Sequence, residues 1–170
     1  KVRGTAHNQG DGLRMALAMG ALPWGQWSGR HSTPISNEWP DFADRARTDK
    51  SNRLSYPFGV MINRDGLRFC DEGEDLGLYT YAKYGGEILR QPGSLAWQVF
   101  DQKTIHLLEP RYSTSDPIQA NTLEELVDLL ELDNKTQALK TLNTFNEAAC
   151  DEENFDPTVK DGLTTTNLTP

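Results

Sequence analysis

The chain predicts an α+β fold, and three observations carry the prediction. A turn signal at Asp65-Gly66 sits between two apolar runs, 58–62 and 67–70, which is the pattern of a β-hairpin. An acidic cluster, Asp71, Glu72, Glu74 and Asp75, follows at once and opens a helix rich in Tyr and Leu. The remaining elements come in the irregular order α, β, loop, ββ, α, β, α, α, which does not fit the regular alternation of a doubly wound sheet.

Taken from the start, residues 4–21 read as a glycine-containing loop leading into a short helix, with Leu13, Ala16, Leu17 and Gly20 at helical spacing on its buried face. Gly20-Ala21 and Pro23 end it. Residues 24–33 are expected to be extended. Residues 34–55 form a long polar loop with Pro34 and Pro40, a length that in a compact domain is either functional or disordered. In the hairpin, a two-residue Asp-Gly turn places both central positions at positive φ. The helix after it runs to about Gln91, where Pro92-Gly93 breaks the chain. Residues 95–101 read as a buried strand and 102–109 as a short helix. Thr122 with Glu125 three positions on makes a capping box before Leu126, Leu129 and Leu130. A last helix covers about 134–150, with Ala138, Leu142, Phe145 and Ala149 on one face, and 151–170 is polar and turn-rich.

Composition bounds the function. The chain has 170 residues, enough for one domain with a core, but only 36% are apolar, which implies surface that further chain covers. A formal net charge of −8 argues against nucleic acid as a partner, since phosphates require a basic stripe. It leaves room for a small anionic substrate, because local charge can oppose net charge. No run reaches the roughly 20 apolar residues of a membrane helix. Cys70 and Cys150 show neither metal spacing nor a disulfide framework; they read as buried free thiols, so a reducing, cytoplasmic location is expected. The chain begins at Lys1, and the expectation is a segment of a longer protein.

Three constellations could carry chemistry. Gly10-Asp11-Gly12 at a helix start lets backbone approach a ligand, and free N–H groups there favour an anion such as a pyrophosphate; an ordinary capping turn is the alternative. Arg30 and His31, followed by Ser32 and Thr33, make a plausible carboxylate clamp, against a surface Arg and a structural His. The acidic run 71–75 could bind a cation or move protons, or it could be a solvated helix start matched to the helix dipole. Tyr79, Tyr81 and Tyr84 read as packing residues.

Several segments together resemble one family, the FAD-dependent flavoproteins of fumarate reductase and succinate dehydrogenase, with the greatest likeness to their tricarballylate dehydrogenase branch. The segments are VRGTAHNQGDGLRMALAMGA at 2–21, GQWSGRHST at 25–33, INRDGLRFCDEG at 62–73, YTYAKYGGEIL at 79–89, LAWQVFD at 95–101 and FDPTVKDG at 155–162. The resemblance implies that residues 1–22 belong to an FAD-binding domain, 23–155 to a capping domain that closes over substrate, and 156–170 to a segment returning to the FAD-binding domain.

The same resemblance implies site residues. Gly10, Asp11 and Gly12 match the element near the FAD. His31, with Arg30 beside it, falls where the family holds a substrate carboxylate, and Glu72 closes the hairpin motif next to the catalytic segment. The family's proton-moving arginine falls at or beside Gly77, and neither Leu76, Gly77 nor Leu78 can take its part. Arg64 and Arg68 lie in the hairpin, out of register. The implied activity is oxidation or reduction of a carbon–carbon bond beside a carboxylate, with hydride passing to or from flavin N5, a small carboxylate as substrate and an electron-transfer protein as a further partner. The alternative is a catalytically inactive flavoprotein-like protein that binds a carboxylate or a partner. An apolar substrate such as a steroid is a third option, which the Arg30-His31 pair makes less attractive.

Overall fold

The computed structural model describes residues 1–42, 46 and 50–149. Its centre is strand β1, Val60–Asn63, buried along its whole length. A strand buried on both faces needs no apolar–polar alternation, and the run Val60-Met61-Ile62 has none. Val60 and Ile62 face one cluster, with Val127, Leu130, Ala138 and Leu142. Met61 faces the other, with Tyr56, Cys70 and Tyr84. The two-residue period of the strand thus feeds two cores from one short segment.

The hairpin differs from the sequence expectation in two ways. After the turn the chain makes only a single bridge, Ile62 to Arg68, and the strand that pairs fully with β1 is β2, Ala96–Val99, antiparallel with Val60 opposite Val99 and Ile62 opposite Trp97. The turn itself is not the mirror-image type. Gly66 alone in it has positive φ, 75°, and Asp65 does not. Gly66 N–H donates to Asn63 O at 3.0 Å and Asn63 N–H to Leu67 O at 2.9 Å, while Asn63 Oδ1 accepts from Leu67 N–H. The Asn63 side chain closes a three-residue loop ending on a left-handed glycine, so Asp65 keeps an ordinary conformation.

Helix α2, Gly77–Arg90, starts later than the acidic cluster. Asp71 Oδ1 accepts from Gly73 N–H and Asp75 Oδ1 from Leu76 N–H, so the short acidic side chains bond their own backbone and hold 71–75 in turns. Helices α3, Leu123–Leu129, and α4, Lys135–Ala148, then cover the β1–β2 sheet. Thr122 caps α3 as expected, accepting from Glu125 N–H, while Glu125 reaches back to Asn121 N–H rather than to the cap residue. Asn134 caps α4 through Gln137 N–H.

Three further expectations are corrected. No residue of helix α1, Asp11–Ala18, is buried: Leu13 and Leu17 are 59% and 40% exposed, because nothing in the described chain packs over that face. Residues 24–33 form no strand ladder. The polar stretch expected as a loop is partly buried; Ile35 bridges Asn52, and Ser51, Asn52, Arg53 and Ser55 are all buried. Cys70 is a buried free thiol, as expected, whereas Cys150 and the segment at 155–162 lie outside the described residues. No described helix is long and apolar enough to cross a membrane.

Candidate functional site

The site is organised by a backbone crossing. Residues 32–33 pass over α2 at Gly85 so closely that a Cβ there would sit 2.3 Å from Thr33 N and 2.5 Å from Ser32 C. Only glycine allows that approach. The crossing delivers His31 to Tyr81, one helical turn before Gly85. His31 Nε2 lies 3.1 Å from Tyr81 Oη, and the rings meet edge to face with centroids 5.2 Å apart. Arg30 has no hydrogen bond or ion pair among the described residues. Both Arg30 and His31 line one wide groove, together with Arg53, Tyr112, Trp97 and Ile88. Thr33 also lines it, and Thr33 Oγ1 is buried without a protein partner.

Arg53, which sequence reasoning passed over, anchors one wall. Its backbone N–H donates to Pro34 O, tying the wall to the segment that carries His31. Its guanidinium is buried, stacks over the Tyr112 ring at 5.2 Å and donates to Lys50 O, Asn52 O, Thr114 Oγ1 and Ser115 Oγ. All four acceptors are neutral. Burial therefore pulls its pKa below the usual arginine value, against attraction from Tyr112 and Glu38. Tyr112 is fixed in turn, its hydroxyl donating to Gln98 Oε1 at 2.6 Å and accepting from Ser55 N–H at 2.9 Å. Burial raises the Tyr112 pKa, so this hydroxyl stays a donor. The sequence signal was weak: an arginine inside a polar stretch reads as solvated until Ile35–Asn52 pairing buries it.

Glu72 lies away from this wall. It is 3% exposed; Oε1 accepts from Met61 N–H at 2.6 Å and Oε2 from Arg68 Nη2 at 2.6 Å. Glu72 does not line the groove that holds Arg30 and His31. The rest of the acidic segment is strapped to α2: the Tyr84 hydroxyl donates to Asp71 O, with Glu74 Oε2 also within reach of it at 3.2 Å, and Lys83 pairs with Glu74. At the far end the Tyr56 hydroxyl meets Gly77 O and Thr80 Oγ1. Segment 71–77 is thus clamped by two buried tyrosines. Gly77 itself is not required by packing, since a Cβ there would have no neighbour nearer than 3.7 Å.

Gly10, Asp11 and Gly12 lie on the exposed N-terminal arm. Gly10 caps α1 with φ 81°, and a Cβ on Gly12 would meet nothing within 4 Å. The first-turn N–H groups have no intrahelical acceptor, and the Asp11 carboxylate pairs with Arg14. The turn is open to a ligand from outside.

Comparison with known proteins gives three relationships and two negatives. The chain is 29% identical to 3-oxosteroid 1-dehydrogenase from two strains of Mycobacterium tuberculosis, over 88% of this chain and 29% of theirs. It is 34% identical to a protein named as a probable fumarate reductase from Shewanella frigidimarina, over 55% of this chain and 14% of that one. No family model matches the chain, and no solved structure matches it. The chain therefore spans less than a third of the length of these curated relatives. The matches to a dehydrogenase and to a reductase overlap on this chain, and the chain is a distant relative of oxidoreductases.

Proposed function

We propose that this chain is the substrate-covering part of an FAD-dependent oxidoreductase acting on a carbon–carbon bond beside a carboxylate. The observation that supports it is the groove itself, which Arg30, His31 and the buried Arg53 all line, in a stretch related to two oxidoreductases. A guanidinium and an imidazole suit a carboxylate by charge and by hydrogen bonding. The residues present fit a flavin nucleotide as far as they go: the Gly10–Gly12 turn offers open space and unbonded N–H groups to a pyrophosphate, with Asp11 beside them for a hydroxyl. When bound, a flavin supplies the redox chemistry. This chain's own residues bind and orient: Arg30 and His31 hold the carboxylate from the groove they line. A tricarballylate-like substrate rests on the sequence resemblance alone.

The test uses the full-length protein. It is expected to carry flavin absorbance, Asp11→Ala to lower flavin retention, and an anaerobic reaction with succinate or tricarballylate to bleach the flavin. A folded, colourless protein overturns the reading. Bound flavin that no acid reduces favours the inactive carboxylate-binding alternative, for which Gly77 in place of an arginine speaks. A second substrate class has its own support. The longer relationship is to a steroid dehydrogenase, and the groove has an apolar side that includes Ile88, Trp97 and Phe100. Flavin bleaching by a 3-oxosteroid but by no carboxylate selects it.

A further inference from the structure

His31 lines the groove, but Tyr81 does not; it stands behind His31 on α2. Tyr81 packs, partly buried, against the cluster of Tyr56, Met61 and Tyr84, so its ring has a fixed seat. The backbone next to His31 is pinned where residues 32–33 cross Gly85, and positions 81 and 85 share one face of the helix. The imidazole is therefore held at two points, through its backbone and through Nε2. Its second nitrogen, Nδ1, has no partner among the described residues. A neutral imidazole carries one donor and one acceptor nitrogen, and the bond made by one sets the proton on the other.

Resting on the reading of His31 as a carboxylate ligand, we infer that Tyr81 is a positioning residue: its hydroxyl donates to His31 Nε2, places the ring proton on Nδ1 and so presents Nδ1–H to a ligand carboxylate in the groove. The hydroxyl of Tyr81 makes no other hydrogen bond among the described residues, which leaves it free for this one. Nothing in the sequence pattern distinguishes Tyr81 from its neighbours Tyr79 and Tyr84; the crossing at Gly85 does.

The test is made on the full-length protein labelled with ¹⁵N-histidine, with succinate as the probe. Long-range ¹⁵N–¹H correlation spectra are expected to show His31 as the Nδ1–H tautomer in the free protein. In Tyr81→Phe, which keeps the ring packing, the tautomer is expected to shift towards Nε2–H and succinate affinity to fall about three- to tenfold, the loss of one hydrogen bond. Tyr81→Met must behave in the same way, which separates the hydroxyl from the ring. An Nε2–H tautomer in the wild type, or an unchanged tautomer in both variants, overturns the inference. The underlying reading fails separately: if His31→Gln binds succinate as the wild type does, or the wild type binds none, His31 is not a carboxylate ligand, while the tautomer still reports whether Tyr81 holds the ring.

Discussion

Arg68 and Glu72 form a nearly buried ion pair at 2.6 Å, with side chains 9% and 4% exposed, at the end of the strand-and-turn unit. The pair is not isolated. Glu72 also accepts from the Met61 backbone inside β1, Arg68 donates to Cys70 O, and the guanidinium lies over the Phe145 ring of α4 at 5.0 Å. One ion pair therefore joins the central strand, the post-turn segment and α4. Its burial demands a partner, since either charge left alone would carry the full desolvation penalty.

Glu72→Gln is accordingly expected to destabilise the protein by about 3 kcal/mol, close to the cost of breaking a buried pair from one side. Arg68→Met alone is expected to cost a similar amount. The double variant should cost clearly less than the sum of the two, because no unpaired charge remains. Urea denaturation of the four proteins measures the coupling; strict additivity would mean that the two residues act independently.

The glycines divide into required and permissive positions. Gly66→Ala is expected to cost about 3 kcal/mol, from a left-handed backbone and a Cβ placed 2.4 Å from Ala138 N. Gly77→Ala meets ordinary contact distances at a helix start and is expected to stabilise by about 0.5–1 kcal/mol. Thermal midpoints that move in opposite directions check the pair.

Gly85 and Gly86 make a sharper contrast inside one helix. A Cβ at 86 meets nothing within 4 Å, so Gly86→Ala gains helix propensity, about 1 kcal/mol. Gly85→Ala forces residues 32–33 off the helix and is expected to abolish succinate binding, carrying His31 away from Tyr81. Retained binding in Gly85→Ala would show that the crossing does not place the site.

Alkaline pH probes the second core. Burial, the largest influence, pushes the Tyr56 hydroxyl up to about 12 from a usual 10, and it also raises the Cys70 thiol and the Tyr84 hydroxyl. A raised folded value favours the protonated form in the native state. Stability from Tyr56 is thus fully present below pH 10 and declines as pH rises from 10 to about 12. Cys70 starts the decline earlier, from about 9. Denaturation midpoints measured from pH 8 upward should be flat and then fall, and a Cys70→Ala variant should lose the earliest part of the fall.

The same burial predicts the chemistry of Cys70. At 5% exposure and with its thiol held protonated, it should resist iodoacetamide in the native protein and react in urea. Peptide mapping of the Cys70 segment reads this out. Rapid native alkylation would place the second core in contact with solvent.

Local chemistry was legible in the sequence, and long-range pairing was not. Thr122 announced α3 because a cap depends on neighbours three residues away, and the spacing of Ala138, Leu142 and Phe145 announced α4, whose cap Asn134 the structure adds. Gly66 announced a turn, but its type was set by the Asn63 side chain, which the Asp-Gly signal does not include. The partnership of β1 with β2 spans the whole of α2 and depends on two cores closing at once. Arg30 and His31 were singled out by their residue types, and both line the groove. Arg53 escaped notice and Tyr81 was read as a packing residue only, because their contacts come from residues about 20 to 60 positions away, Pro34, Thr114 and Ser115 for one and His31 for the other.

Helix α1 has a consequence for the turn at Gly10–Gly12 that is proposed to meet a flavin nucleotide. It is eight residues long and buries none of them. A helix of that length is marginal on its own, because nucleation outweighs the few hydrogen bonds that follow, and segments below about 12–15 residues rarely hold in water. The shape of the Gly10–Gly12 turn is thus conditional on whatever surface α1 rests against. On the proposed reading, flavin affinity and docking of this arm would rise and fall together, so that a change at Leu13 or Leu17, both exposed, would register as a weaker grip on the cofactor.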